Sequence, residues 1–190
     1  MAEFLNLLGF GATNDPNVII SYILTFAGLV CMILASLVKG KNMKTILLLV
    51  FAGNALVAIS YIFTKSWSGA VSCGLGAAQT IINFIFFESK NKSVPNWLVG
   101  IYALSFVVAN LAVYGGIHTI VAIVATLFFV LSIVQKNGAK FRICTFTNMI
   151  LWCAHDILTN SVAQLIMHFV QIVTNVVGML IHDVKKTNNK

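Results

Sequence analysis

Long apolar segments alternate with short polar or charged connections along the whole chain. Each segment holds roughly the 17 to 25 residues that a helix needs to cross a ~30 Å hydrocarbon core. The run from Trp97 to Val134 is too long for one span, and we expect it to turn at Gly115-Gly116. The pattern therefore predicts seven transmembrane helices. They lie at about residues 18–38, 45–64, 67–87, 97–114, 117–134, 141–158 and 161–182.

Polar residues recur at helical spacing within the last segment, at intervals of four, three and four positions. Side chains at this spacing share one helix face. A polar face within a membrane segment cannot face lipid, so it must face protein or a water-filled cavity. The four residues are Gln164, His168, Gln171 and Asn175. Corresponding positions occur 92 residues earlier, at Ser72, Gly76, Gln79 and Asn83.

Further correspondences extend this internal repeat to three helices on each side. Asn54 in the second segment recurs as Asn148 in the sixth, and Ser36-Leu37-Val38 recurs as Ser132-Ile133-Val134. We therefore predict an all-α membrane protein in which two parallel three-helix repeats are joined by an inverting fourth helix. The predicted units are an extracytoplasmic lead-in at 1–16, a first repeat at 17–90, a linker helix at 91–116, a second repeat at 117–184 and a cytoplasmic tail at 185–190.

The composition fits this architecture and argues against a soluble domain. Apolar residues make up 59% of the chain and charged residues only 9%, too few charges to cover a soluble surface. Of the 12 basic residues, 11 fall in or beside the connections that follow the first, third, fifth and seventh segments. The positive-inside rule makes that side cytoplasmic. We expect a multi-pass protein of the cytoplasmic (inner) membrane, with its N-terminus outside and its C-terminus in the cytoplasm.

The amide side chains of the two stripes are the candidate ligand-binding groups. Asn and Gln each present a hydrogen-bond donor and an acceptor, which suits the hydroxyls, amides or ring nitrogens of an uncharged ligand. The alternative is that these amides only bond helix to helix. A nearby indole could stack on a sugar or nucleobase, or simply pack against the protein. The candidates are Asn83, Asn175, Gln79 and Gln171 as hydrogen-bonding groups, Asn54 and Asn148 as supporting amides, and Trp152 as a stacking wall.

His155, Asp156 and His168 are candidates for a second role, proton coupling. The helical rise places the depths of Asp156 and His168 within about one or two turns of each other. A carboxylate near a histidine inside a membrane can pair with it and relay a proton. Alternatively, Asp156 reaches the outer interface and is solvated there beside His155. The same three groups are the minimum set for a metal site, and we expect no metal.

The sequence carries no signature of an enzyme, since it lacks a Gly-rich phosphate loop, HExxH and GxSxG. It also lacks a soluble basic domain that would bind nucleic acid. We therefore expect no catalytic activity and no cofactor. The expected partners are the lipid bilayer and a small-molecule substrate, and self-association into a homo-oligomer stays open.

The predicted three-one-three arrangement resembles the SWEET sugar facilitators and the PnuC vitamin transporters over residues 18–184. Asn83 and Asn175 match the third-helix asparagines that line the SWEET substrate site. The chain departs from the SWEET and PQ-loop proteins in lacking their Pro-Gln pair. Its two prolines, Pro16 and Pro95, both lie outside the predicted spans.

The chain is also similar to the YgjV family of small bacterial inner-membrane proteins. The resemblance lies in Lys140-x-Arg142, Trp152-x-x-His155-Asp156 and the stretch Ser161 to Asn175, so it covers the second repeat better than the first. It implies a fold and an inner-membrane location, but no substrate.

Residue chemistry and resemblance together predict a small-molecule carrier that works by alternating access between the two repeats. Its substrate would be a polar, uncharged metabolite such as a sugar, a nucleoside or a vitamin-like compound. The alternative is a non-transporting membrane scaffold or sensor, in which both polar stripes are dry and fully paired.

Overall fold

The computed structural model describes residues 16–39, 42–63, 67–89, 94–112, 116–158 and 162–182. Within these residues the chain forms seven α-helices, so the predicted all-helical class is confirmed. We number them α1 (Pro16–Leu37), α2 (Met43–Phe63), α3 (Trp67–Ser89), α4 (Asn96–Leu111), α5 (Ile117–Ile133), α6 (Gly138–Leu158) and α7 (Val162–His182).

Local signals explain where these helices begin and end. Every helix boundary lies within three residues of the predicted segment. Pro16 opens α1, where its fixed φ and missing N–H suit the first helical position. Gly116 precedes α5 with a φ of 129°, which glycine adopts without steric cost, and it divides the long run from Trp97 to Val134 as predicted. The lead-in before Pro16 and the tail at 185–190 lie outside the described residues.

Each helix contacts the next one along the chain, and the last contacts the first; we refer to α1–α3 as the first group and to α5–α7 as the second. In the first group α2 packs against both α1 and α3, and in the second α6 packs against both α5 and α7. The fourth helix contacts α3 and α5, and α1 contacts α7 across the two groups. The three-one-three arrangement and the repeat relation both stay predictions.

One end of the bundle is closed by an apolar core. At this end α1 and α5 finish and α2 and α6 begin, beside the basic connections; we call it the basic end. The core there joins side chains of both helix groups, because buried Ile133 and Phe141 pack with residues of α1 and α2. Its buried members are Ala35, Met43, Ile46, Leu47, Val50, Ile133 and Phe141.

Three helices in the described part of the chain are long and apolar enough to cross a membrane, judged by length and composition. They are Pro16–Leu37, Met43–Phe63 and Leu165–His182. Apolar stretches of at most 17 residues lie at Ala70–Phe86 within α3, at Asn96–Leu111 and at Ile117–Ile133, and α6 carries Lys140 and Arg142 near its start. Large apolar side chains cover the outside of the bundle, as a lipid-facing surface requires. A membrane crossing by all seven helices stays a prediction.

Candidate functional site

Asn83 of α3 is fully buried, and both polar atoms of its amide are bonded. Its Nδ2 donates to the backbone oxygen of Ile133, the last residue of α5, at 3.0 Å. Its Oδ1 accepts from the hydroxyl of Tyr102 in α4 at 3.2 Å. Asn83 therefore ties α3 to both α4 and α5. In this structure Asn83 makes hydrogen bonds between helices, which is one of the two roles that the sequence allowed.

Gln79 lies one turn earlier on the same buried face of α3. Its Nε2 donates to Ser105 Oγ at 3.2 Å and to the backbone oxygen of Tyr102 at 3.4 Å, so the side chain turns towards α4. Its Oε1 is buried and has no hydrogen-bond partner among the described residues. The α3 stripe thus faces α4 and the end of α5.

Asn175 of α7 has a different partner. Its side chain is fully buried, and its Nδ2 donates to the backbone oxygen of Arg142 in α6 at 2.8 Å. Its Oδ1 is buried without a partner among the described residues. Gln171, one turn earlier, is half-buried, and the side chain of Gln164 lies outside the described part. No described hydrogen bond joins the α7 stripe to the α3 stripe.

Asn148 adds a second unpartnered amide oxygen in the same helix group. Only 2% of this α6 residue is exposed, and its Oδ1 has no partner among the described residues. Thr145, three positions earlier and so close on the same helix face, has an unpartnered buried hydroxyl as well. Asn175 bonds to the backbone of α6 in the turn that precedes Thr145. Sequence patterns did not single out Thr145.

Asn54 of α2 corresponds to Asn148 in the predicted repeat but has a local partner. Its Nδ2 donates to the backbone oxygen of Val50 in the same helix at 3.1 Å. Gly76 of α3 lies close by, since a Cβ there would be 3.5 Å from Asn54 Cγ. The two amides thus differ: the first is paired within its helix, and the second has an unpartnered oxygen.

Trp152 packs within a cluster of rings near the end opposite the basic end. Its indole stacks on His168 of α7, with ring centroids 5.8 Å apart and an interplanar angle of 19°. The ring of His155 meets the indole edge-on at 5.1 Å, and His118 meets His155 at 5.9 Å. The structure brings together three of the predicted residues and adds His118, which sequence analysis missed because it lies alone beyond the Gly115-Gly116 turn.

The described residues contain no group of three His, Cys, Asp or Glu side chains arranged to hold a metal ion. Asp156 belongs to α6, but its side chain is not among those that the structure describes. The predicted proximity of Asp156 to His168 therefore stays a prediction.

Arg142, which sequence analysis counted among the loop cations, is buried in the structure. It lies in the second turn of α6, and its exposed fraction is 0%. Its Nε donates to the backbone oxygen of Ser36 at 3.1 Å, and its guanidinium also donates to the backbone oxygen of Val38. Ser36 lies in the last turn of α1, and Val38 directly follows the helix. The sequence signal was present in Lys140-x-Arg142, but spacing alone could not separate an exposed cation from a buried one.

Residues 19–186 match the family described as Imp-YgjV, bacterial inner membrane protein. The chain belongs to this family. The match spans both helix groups, whereas the sequence resemblance covered mainly the second. Searches of curated proteins and of solved structures find no match to the chain.

Membership places these buried polar groups in an inner-membrane protein, where the surrounding lipid offers no hydrogen bonds. Unpartnered oxygens on Asn148, Asn175 and Gln79 can accept hydrogen bonds but cannot donate them. The arrangement is therefore suited to hold O–H or N–H groups.

Proposed function

We propose that this inner-membrane protein carries a small, polar, uncharged solute across the membrane. The observation that carries the proposal is that the amide oxygens of Asn148 and Asn175 are buried and have no hydrogen-bond partner among the described residues. Leaving a buried acceptor unsatisfied costs about 1–3 kcal/mol, and native proteins retain few such atoms. A bound solute would supply the missing hydrogen bonds and give a reason for keeping these amides.

The chemistry of the orphan atoms narrows the solute. Because amide oxygens only accept, the bound molecule must present hydroxyl or N–H groups. Sugars, nucleosides and vitamin-like compounds carry such donors without a net charge. The hydroxyl of Thr145, which can donate or accept, extends the same set along α6.

Movement between two helix groups supplies a mechanism. The groups α1–α3 and α5–α7 each pack internally, and α4 joins them, which suits rocking of one group against the other in a three-one-three carrier. The resemblance to the SWEET and PnuC transporters rests on the same predicted arrangement. The distribution of basic residues supports a cytoplasmic basic end and an N-terminus outside.

Proton coupling is an extension of the proposal at the opposite end. His155 and His168 both contact the indole of Trp152, so a change in the charge of either ring would alter the packing of α6 against α7.

Trp152 already stacks on His168, and a solute could use that indole face only by displacing the imidazole. Trp152 therefore stays a candidate stacking surface for a solute that displaces His168.

A non-transporting scaffold is the second candidate, and Asn83 is the observation that favours it. Both atoms of its amide are satisfied by protein, as a static helix contact requires. Under the scaffold hypothesis the orphan oxygens would be hydrated or paired without any solute.

Thermal stabilisation of the detergent-purified protein tests the carrier proposal against a panel of sugars, nucleosides and vitamins. A solute at about 100 times its dissociation constant stabilises the fold by about 2.7 kcal/mol. We expect a hit that the Asn148→Leu/Asn175→Leu double variant loses. Asn110→Leu is the matched control, because Asn110 is a buried amide bonded to the backbone oxygen of Phe106 in its own helix. A hit retained by the double variant would place the site elsewhere, and a flat panel would favour the scaffold.

A further inference from the structure

The end of α1 is bound by side chains of the second helix group. A helix leaves its last four carbonyl groups without helical partners. Here the carbonyl oxygens of Ser36 and Val38 accept from Arg142. The carbonyl oxygen of Leu37 lies 2.6 Å from Nε2 of His182, which must be the donor because a carbonyl only accepts. Three consecutive carbonyls are thus held by α6 and α7.

Gly178 makes this contact possible. A Cβ at this position would collide with the backbone oxygen of Ser36, and it would lie 3.1 Å from the Ser36 carbonyl carbon and 3.3 Å from Arg142 Nε. Backbone atoms cannot move aside as a flexible side chain can, so any larger residue must push α1 away from α7. Glycine within a helix is otherwise unfavourable by about 1 kcal/mol relative to alanine.

Asn175 of α7 also holds the backbone of Arg142. Asn175 donates to the backbone oxygen of Arg142 at 2.8 Å, which links the candidate solute-binding amide to the residue that holds α1. This connection joins the candidate site to the contact of Arg142, Gly178 and His182 with the end of α1, which we call the seam.

We propose that Arg142, Gly178 and His182 form a gate on the end of α1, closed in this structure, and that α1 must leave them for the bundle to open at the basic end. The inference rests on the proposed carrier function. The seam consists of hydrogen bonds to terminal carbonyls, each of which water can replace when α1 moves into the aqueous boundary. The Arg142 guanidinium would then be hydrated rather than stranded in lipid.

A reporter cysteine at Ser36 measures opening directly, since only 6% of Ser36 is exposed in the closed seam. The native thiols at Cys31, Cys73, Cys144 and Cys153 are first replaced by alanine. We then compare the rate of reaction with a small hydrophilic maleimide in the parent, in Gly178→Ala and in Arg142→Lys. Lysine keeps the charge but lacks the planar fork that reaches two carbonyls. Gly74→Ala is the matched control, since a Cβ there meets nothing within 4 Å.

Both seam variants are expected to react about ten-fold faster than the parent, the change that follows if about 1.4 kcal/mol of closing free energy is lost. The control should react at the parent rate. A folded, monodisperse Gly178→Ala protein that labels at the parent rate would overturn the gate. If Gly178→Ala does not fold, Arg142→Lys decides by the same criterion.

The ligand panel separates this inference from the carrier proposal. A parent-like labelling rate in a variant that a solute still stabilises removes the gate and leaves the carrier standing. The other outcome is a raised labelling rate in both seam variants while no solute in the panel stabilises the protein. That result supports the opening of the seam and contradicts only the carrier proposal.

Discussion

Arg142 Nε donates to the backbone oxygen of Ser36 at 3.1 Å, across 106 positions of sequence. The bond joins the first helix of one group to the middle helix of the other. Arg142, which the sequence places among the loop cations, has no exposed surface in the structure. The relationship between these two residues decides how the basic end is closed, and it gives the first prediction.

Arg142→Met should lower the free energy of unfolding by about 3 kcal/mol, because it leaves buried carbonyls of α1 without donors. Unfolding of the detergent-purified variant, followed by heating or denaturant, measures the change. Lys140→Met is the control: Lys140 lies two residues earlier but is exposed, so its loss should change stability by less than about 0.5 kcal/mol. Equal effects at the two positions would mean that the buried bonds contribute nothing.

Alanine at two helix glycines should change stability in opposite directions. At Gly178 the added Cβ meets the backbone of Ser36, so the variant should be less stable than the parent. At Gly100 nothing lies within 4 Å, and the better helix propensity of alanine should raise stability by up to about 1 kcal/mol. Melting temperatures measured side by side test the sign. A stabilised Gly178→Ala protein would contradict the close approach of α1 and α7.

Leucine should be tolerated better at Asn175 than at Asn83. Asn83→Leu breaks two hydrogen bonds and leaves the oxygen of Ile133 and the hydroxyl of Tyr102 without their partner. We expect a loss of about 2–3 kcal/mol. Asn175→Leu breaks one bond and removes an unpartnered oxygen, so its cost should be smaller by about 1 kcal/mol. The reverse order in thermal unfolding would make Asn175 the structural residue of the two.

Water should reach α7 more readily than α3. In a background without native cysteines, Gln171→Cys should react with a hydrophilic maleimide, because Gln171 is half-buried on the polar face of α7. Asn83→Cys should resist the reagent, since Asn83 is fully buried between α3, α4 and α5. Exposed Lys140→Cys serves as the positive control for labelling. Resistance at position 171 equal to that at position 83 would support the dry stripes of a scaffold.

The sequence alone determined the helices, because their causes are local. Apolar length set the seven segments, and Gly116 marked the break between α4 and α5 through a backbone conformation that side chains disfavour. Burial of Gln79, Asn83 and Asn175 also followed from sequence, since lipid cannot satisfy their amides. The pattern could state that Asn83 and Asn175 face inward without stating what they face.

The tertiary structure decided the partners. Asn83 bonds to Ile133, 50 positions away. The matching Asn175 bonds to Arg142, and its amide oxygen has no partner within the described part of the chain. Nor could spacing show that Arg142 is buried against the end of α1, because a basic residue near a helix start has the same local pattern whether it faces water or a carbonyl. Helical periodicity fixes the direction of a side chain relative to its own axis. The partner it meets depends on how distant helices pack, and that is a property of the folded bundle.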